Sequence, residues 1–267
     1  MPLRIDILTT FPELFSPDPP ALLGVSIPAR ARRAGLVDWH PSDIRAFADN
    51  KHKKTDDRPF GGGPGMVMMC QPLYDAVLAA EASDPRPATR ILLSPQGTPL
   101  TQSLVEHLAT LPRLLLIAGH YEGIDERVIT KLAPLEISVG DYVLSSGELA
   151  ALVLIDAVVR LLPGALGDDL SALSDSFSPV VPPRPSPPLP KSRAAASSPA
   201  PLRLLDCPHY TRPREWMGMA VPDVLISGNH EDVARWRYQQ QLERTRYRRP
   251  DLLDTPAPSA APPSASR

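Results

Sequence analysis

Residues 113–125, RLLLIAGHYEGID, carry the decision about the fold. Arg113–Ala118 is an almost unbroken apolar run, and the chain turns directly from it into Gly119 and Gly123. A short apolar run closed by glycine predicts a strand buried on both faces, as in a parallel sheet covered by helices. Working outward, Leu3–Leu8, Arg90–Leu93 and Leu135–Val139 read the same way. Helical patterns lie between them over Gln71–Ala82, Thr101–Thr110 and Gly147–Leu162. Thr101 can cap the second of these, and Pro163-Gly164 stops the third. Alternating strand and helix predicts a doubly wound α/β domain over residues 1–164.

Beyond it the composition changes. Residues 178–201, SPVVPPRPSPPLPKSRAAASSPAP, are nine parts proline in 24. Such a stretch builds no packed core, so residues 165–203 are expected to be a flexible linker. Residues 204–250 return to ordinary composition, with Asn229 placed to cap a helix over 230–248 that Pro250 ends. Residues 229–250 hold six arginines against Glu231, Asp232 and Glu243. Residues 251–267 are expected to fray.

The 267 residues carry a formal charge of -2, which gives no global signal for nucleic-acid binding. Cys70 and Cys207 are too few for a disulfide framework or a four-ligand zinc site, which favours a reducing cytoplasm. The most apolar stretch, residues 149–164, contains Asp156 and Arg160 and is too short for a membrane span. The N-terminus has prolines and acids where a secretion signal needs apolar residues, so neither export nor membrane insertion is expected. P-loop, GxGxxG, HExxH and GxSxG motifs are all missing, which argues against an NTPase, a dinucleotide dehydrogenase, a zinc hydrolase or a serine esterase.

What remains is loops at strand ends. Ser94-Pro95-Gln96-Gly97, then residues 119–125, then residues 140–149 (GDYVLSSGEL) each follow a predicted strand. Ligands of open α/β sheets bind beyond the carboxyl ends of strands. Glycine there brings bare backbone close to a ligand, as adenine recognition needs, or it simply makes a tight turn.

Four motifs carry a resemblance: DDRPFGGGPGMVMM from residue 56, GHYEGIDERVI from 119, ISVGDYVLSSGELAALVLIDAVVR from 137, and LLDCPHYTRPREWMGMAVPDVLISGNHEDVARWR from 204. Together they resemble the bacterial tRNA (guanine-N1)-methyltransferases, members of the knotted SPOUT superfamily. The resemblance implies a SPOUT-type parallel sheet with a deep trefoil knot at about residues 91–149, and a small C-terminal helical domain that binds tRNA. It implies S-adenosylmethionine held by Ser94, Pro95, Gly119, Tyr121, Gly123, Val139, Gly140, Tyr142, Leu144 and Gly147. It further implies a homodimer with shared active sites, acting on guanosine 37 beside the anticodon.

The chemistry itself states what such a site needs. Guanine N1 carries a proton at neutral pH, and its removal builds negative charge toward O6. A base at N1 and a donor at O6 are therefore required. By resemblance, Asp175 is the general base and Arg160 the group at O6. Read without the family, Asp175 is a linker acid with Asp168 and Asp169 as rivals, and Arg160 a cation at a helix C-terminus. Glu122 is a candidate organiser, through a magnesium ion. Asp56, Gly65 and Asp206 match positions that hold the guanine and its neighbours. Arg212, Arg235, Arg237, Arg244, Arg246, Arg248 and Arg249 suit phosphate contacts. Trp236 reads as core and His209 as a structural hydrogen-bonder.

The chain departs from the family twice. Ser146 stands where the family has glycine, and would crowd the cofactor if that position has positive φ. The proline-rich insertion after Phe177 would lengthen the tether that brings Asp175 to the guanine. Competing readings are another knotted RNA methyltransferase and a tRNA-binding module without activity.

Overall fold

The runs predicted as strands lie side by side in one parallel sheet. The computed structural model describes residues 1–16, 22–167, 174–180 and 201–254. The chain divides into two units, Met1–Asp169 and Leu170–Arg267.

In the first unit the chain runs through β1 (Leu3–Thr9), α1 (Ser26–Arg33), β2 (Val37–Asp43) and a two-residue ribbon of β3 (Asp56–Asp57) and β4 (Val67–Met68). It continues through α2 (Cys70–Ala82), β5 (Thr89–Pro99), α3 (Gln102–Ala109), β6 (Arg113–Ala118), α4 (Glu126–Leu132), β7 (Leu135–Ser138) and α5 (Gly147–Val159). The sheet order is β2-β1-β6-β5-β7, with every pair parallel. Side chains alternate between two cores. Ile5, Ile7, Leu114 and Leu116 face Leu154, Ile155 and Val158 of α5. Leu8, Leu115 and Ile117 face Leu73 and Val77 of α2 and Val128 of α4. All six residues of β6 are buried, so each leucine there contributes about 1.5–3 kcal/mol of burial.

Arg113 is the one charged residue of that strand. Its guanidinium donates to Asp6 at 2.7 Å and to the carbonyls of Ala80, Asp84 and Arg86 around the end of α2. A buried charge is tolerable only when paired and hydrogen-bonded, and here both conditions are met.

In the second unit, residues 174–180 pair with residues 202–206. Phe177 N–H donates to the Leu204 carbonyl at 2.8 Å, and Val180 N–H to the Leu202 carbonyl at 2.9 Å. Asp206 N–H donates to the Ser176 hydroxyl at 2.9 Å. The insertion thus leaves and re-enters at hydrogen-bonded neighbours. Contrary to expectation, it does not lengthen the path from Asp175 to Leu204. Residues 181–200, Asp168, Asp169 and residues 255–267 lie outside the described residues. A hairpin of β8 (Glu215–Trp216) and β9 (Met219–Ala220) turns at Met217 and Gly218, both with positive φ. Next come α6 (His230–Arg248) and the short α7 (Asp251–Asp254), so the predicted tail begins with a helical turn. Asn229 caps α6 as expected, its side-chain oxygen accepting from the N–H groups of Glu231 and Asp232.

The four predicted strands are all present, and Thr101 caps α3 as expected. Two differences have physical causes. Predicted from Arg90 to Leu93, β5 resumes pairing after a bulge: Leu93 and Thr98 both align with Ile137. Helix α5 ends at Val159, three residues before its predicted end, because Leu161 and Leu162 make tighter i→i+3 turns ahead of Gly164. Helices α1 and α4 and strand β2 were not predicted. Among the described residues no helix is long and apolar enough to cross a membrane.

Candidate active site

Strands β6, β5 and β7 are adjacent and parallel, so the loops that follow their apolar segments emerge at one edge. The two outer loops meet directly. Gly147 N–H donates to the Gly119 carbonyl at 2.7 Å. A Cβ on Gly147 would stand 2.7 Å from Gly119 N and 3.0 Å from the Ala118 backbone, so only glycine permits this approach. Gly140, at φ +153°, closes the loop after β7. The Tyr142 hydroxyl there donates to the Val139 carbonyl at 3.2 Å. Ser94 and Pro95 occupy the β5 bulge between them, with Ser94 half-buried and Pro95 exposed. Leu144 is half-buried and packs against the core.

A second group of predicted residues joins the same edge through the β3–β4 ribbon. Asp56 pairs with Met68. Met68 N–H donates to the Gly123 carbonyl, and Glu122 N–H to the Met66 carbonyl. Gly65, at φ +78°, lies against the Glu122 side chain, which a Cβ would meet at 2.3 Å. Tyr121, itself at φ 62°, turns toward Asp56. Partial burial and then the Asp56 carboxylate push the Tyr121 phenol above its ordinary range. The fold therefore brings Asp56, Gly65, Tyr121 and Glu122 together beside the glycine loops.

Ser146 removes one expected difficulty. Its φ is -164°, ordinary extended backbone, so the serine introduces no strain. The side chain that follows Gly147 was overlooked in the sequence. Glu148 is wholly buried, and its Oε1 accepts from the Thr9 hydroxyl at 2.6 Å. Glu148 Oε2, Thr10 Oγ1 and His120 Nδ1 are the buried side-chain atoms, among those described, without a hydrogen-bond partner. The signal available was an acid inside an otherwise apolar helix start, SGELAAL.

The other predicted residues lie elsewhere. Arg160 is the C-cap of α5, thirteen residues past Gly147 and therefore roughly 20 Å along the helix from the loops. Asp175, Asp206, Arg212 and Arg235 belong to the second unit. Asp206 takes His209 Nε2 at 2.7 Å and the Cys207 N–H at 2.6 Å. Asp206, Cys207 and His209 form the one cluster of three potential metal ligands among the described residues; Glu122 is outside it. Burial, then Asp206, raise the Cys207 thiol. Arg212 is exposed, and so is Arg235, which pairs with Asp232 at 3.1 Å. Trp236 is half-buried with its ring 6.3 Å from that of Tyr210.

The first unit is a parallel α/β domain whose glycine loops gather at one edge of the sheet. The family described as tRNA (Guanine-1)-methyltransferase TrmD matches residues 3–255. The tRNA (guanine-N(1)-)-methyltransferase of Chloroflexus aurantiacus is 49% identical over 94% of this chain and 88% of its own. Its namesake from Moorella thermoacetica is 49% identical over 94% and 90%. The one from Geobacillus kaustophilus is 49% identical over 94% and 92%. The chain belongs to the tRNA (guanine-1)-methyltransferase family.

Proposed function

We propose that this protein is a methyltransferase that uses S-adenosylmethionine to methylate N1 of guanosine 37 in tRNA, in the cytoplasm. The observation that supports the reading is the backbone contact between Gly119 and Gly147, which draws the glycine loops after β6 and β7 together at one edge of the sheet. Glycine loops gathered in this way offer bare backbone amides to a flat adenosyl group. Ser94, Pro95, Gly119, Tyr121, Gly123, Val139, Gly140, Tyr142, Leu144 and Gly147 would hold the cofactor. When bound, it supplies a sulfonium methyl group that needs no further activation.

The chain's own residues handle the proton and the charge. Asp175 takes the N1 proton, and Arg160 donates to O6 as negative charge gathers there. Asp56, Gly65 and Asp206 position the guanine and its neighbours. Arg212, Arg235 and the exposed arginines of α6 contact phosphates. A magnesium ion would find one carboxylate in Glu122, in keeping with an ion held mostly by water and RNA phosphates.

Two finer points belong to this proposal. The first is a deep trefoil knot at about residues 91–149. Strand β7 is the sheet edge beyond β5, yet the next helix starts hydrogen-bonded to the end of β6, so the chain crosses the end of β5 on its way back. The second is a homodimer with shared active sites. Arg160 sits roughly 20 Å along α5 from Gly147, too far to serve a donor held at the same copy's loops. Leu149 and Val153 also leave an apolar stripe of α5 exposed for a second copy.

The test is incubation with labelled S-adenosylmethionine and unmodified tRNA carrying guanosine 3′ of the anticodon, followed by mapping of the methyl group. No transfer refutes the activity, and transfer to another atom refutes the assignment to N1. Asp175→Asn should abolish transfer while cofactor binding persists; loss of binding would contradict the role given to Asp175.

A further inference from the structure

Glu148 is a buried acid that the proposed reaction does not use. It is 0% exposed, and among the described residues it forms no ion pair. One carboxylate oxygen takes the Thr9 hydroxyl; the other has no partner. Its one hydrogen-bond partner, the Thr9 hydroxyl, is neutral. Thr9 is the last residue of β1, Thr10 follows it, and His120 lies two residues past the end of β6. Thr10 Oγ1 and His120 Nδ1 are themselves unpartnered. Glu148 lies in the first turn of α5, where the helix dipole favours an anion, but that effect is small beside the cost of desolvating a carboxylate. A buried charge normally has a counter-charge. No described side chain supplies one, and Glu148 directly follows Gly147, whose N–H donates to the Gly119 carbonyl where the glycine loops meet.

We propose that Glu148 is the fixed counter-charge beneath the cofactor loops, favouring the cationic sulfonium donor over the neutral thioether left after methyl transfer. This inference rests on the methyltransferase reading. S-adenosylmethionine and S-adenosylhomocysteine differ in shape by one methyl group and in charge by one unit at sulfur. Apolar walls cannot sense that unit of charge, and neutral backbone dipoles sense it less than a full opposite charge does. A carboxylate in a low-dielectric corner can, because nearby charges interact far more strongly there than in water. Once the methyl group has left, the attraction to the sulfur is gone, which favours product release. Glu148 acts across the loop backbone and is a positioning residue in this scheme.

The experiment is calorimetric titration of the full-length protein and of Glu148→Gln with each of the two ligands, alongside melting of the ligand-free proteins. Glutamine keeps the shape and the Thr9 contact while removing the charge. The expected result is S-adenosylmethionine weakened about tenfold and S-adenosylhomocysteine changed by less than about threefold, the pattern of a charge–charge contact. The ligand-free variant should melt at or above the wild-type temperature, since an unpaired buried charge has gone. Equal weakening of both ligands, no weakening of either, or a variant that melts lower or fails to fold would each overturn the proposal. Failure of the wild type to bind either ligand would instead refute the methyltransferase reading.

Discussion

Replacing Gly147 with alanine tests the loop junction at a single atom. The new Cβ would lie 2.7 Å from Gly119 N and 3.0 Å from two backbone atoms of Ala118. Contact becomes favourable at about 3.5 Å, so the start of α5 must retreat by roughly 0.8 Å. Strand β6 cannot yield instead, since all its residues are buried and it is paired on both sides. Overpacking of this kind costs about 1–3 kcal/mol. Loss of the 2.7 Å bond from Gly147 N–H to the Gly119 carbonyl adds about 0.5–1.5 kcal/mol, and the better helix propensity of alanine returns up to about 1 kcal/mol. The net is about 0.5–4.5 kcal/mol, or a fall in Tm of roughly 1–18 °C for a unit of this size. Circular-dichroism melting would read the stability, and calorimetry the affinity for S-adenosylmethionine, which should fall as the loops part. Gly167→Ala is the control: its Cβ meets nothing within 4 Å, and the change should stay within about 0.5 kcal/mol. If Gly147→Ala melts with the wild type and binds the donor equally well, the close approach of the two loops is not what holds them.

Two further outcomes are expected. Ser146→Gly should leave S-adenosylmethionine affinity within about twofold, because Ser146 has ordinary extended backbone that any residue adopts; a tenfold gain would show that the serine does obstruct the site. Asp125 caps α4, and hydrogen bonds from Arg127 and then Cys70 hold its carboxyl well below the usual carboxylate range. A lowered folded pKa means that the stabilisation is present above the unfolded value, near 3.9, and fades as pH falls below it toward the folded value. Asparagine also caps helices, so Asp125→Asn isolates the charge. Urea titrations should show a stability gap between wild type and variant at pH 7 that narrows at pH 3, and an unchanged gap would contradict the coupling.

Most of the sheet was legible because a strand buried on both faces announces itself as a compact apolar run. Residues 113–118 needed nothing more. Strand β2 hid because VDWHPSD is polar and contains a proline. It is an edge strand, paired only to β1, where such residues are tolerated. The return of β5 to pairing hid for a related reason: QGTP reads as a turn, yet Gly97 lies so close to the Glu136–Ile137 backbone that a Cβ would meet it at 2.4 Å. Helix α4 ends at Ala133 in the left-handed region, without the glycine that usually signals a stop. Asn229 and Pro250, by contrast, marked α6 to the residue.

The site was legible only in parts. Glycine loops at strand ends could be listed one by one, but not that Gly119 touches Gly147, which depends on β5 lying between β6 and β7. Nor does anything local tie Thr9 to Glu148, a hydrogen bond spanning 139 positions. Residues that meet through sheet order leave no mark on a neighbouring stretch of chain. The roles of Asp175 and Arg160 came from the resemblance, since each is chemically ordinary where it stands.

The hydrogen bond from Val180 to Leu202 brings together the two ends of the proline-rich stretch. Its ends are fixed by their neighbours, so the residues between them can be gained, lost or rewritten without altering the frame that carries Asp175 and Asp206. Natural variation can accumulate there at small structural cost. The same position offers a grafting point for a reporter or an affinity handle.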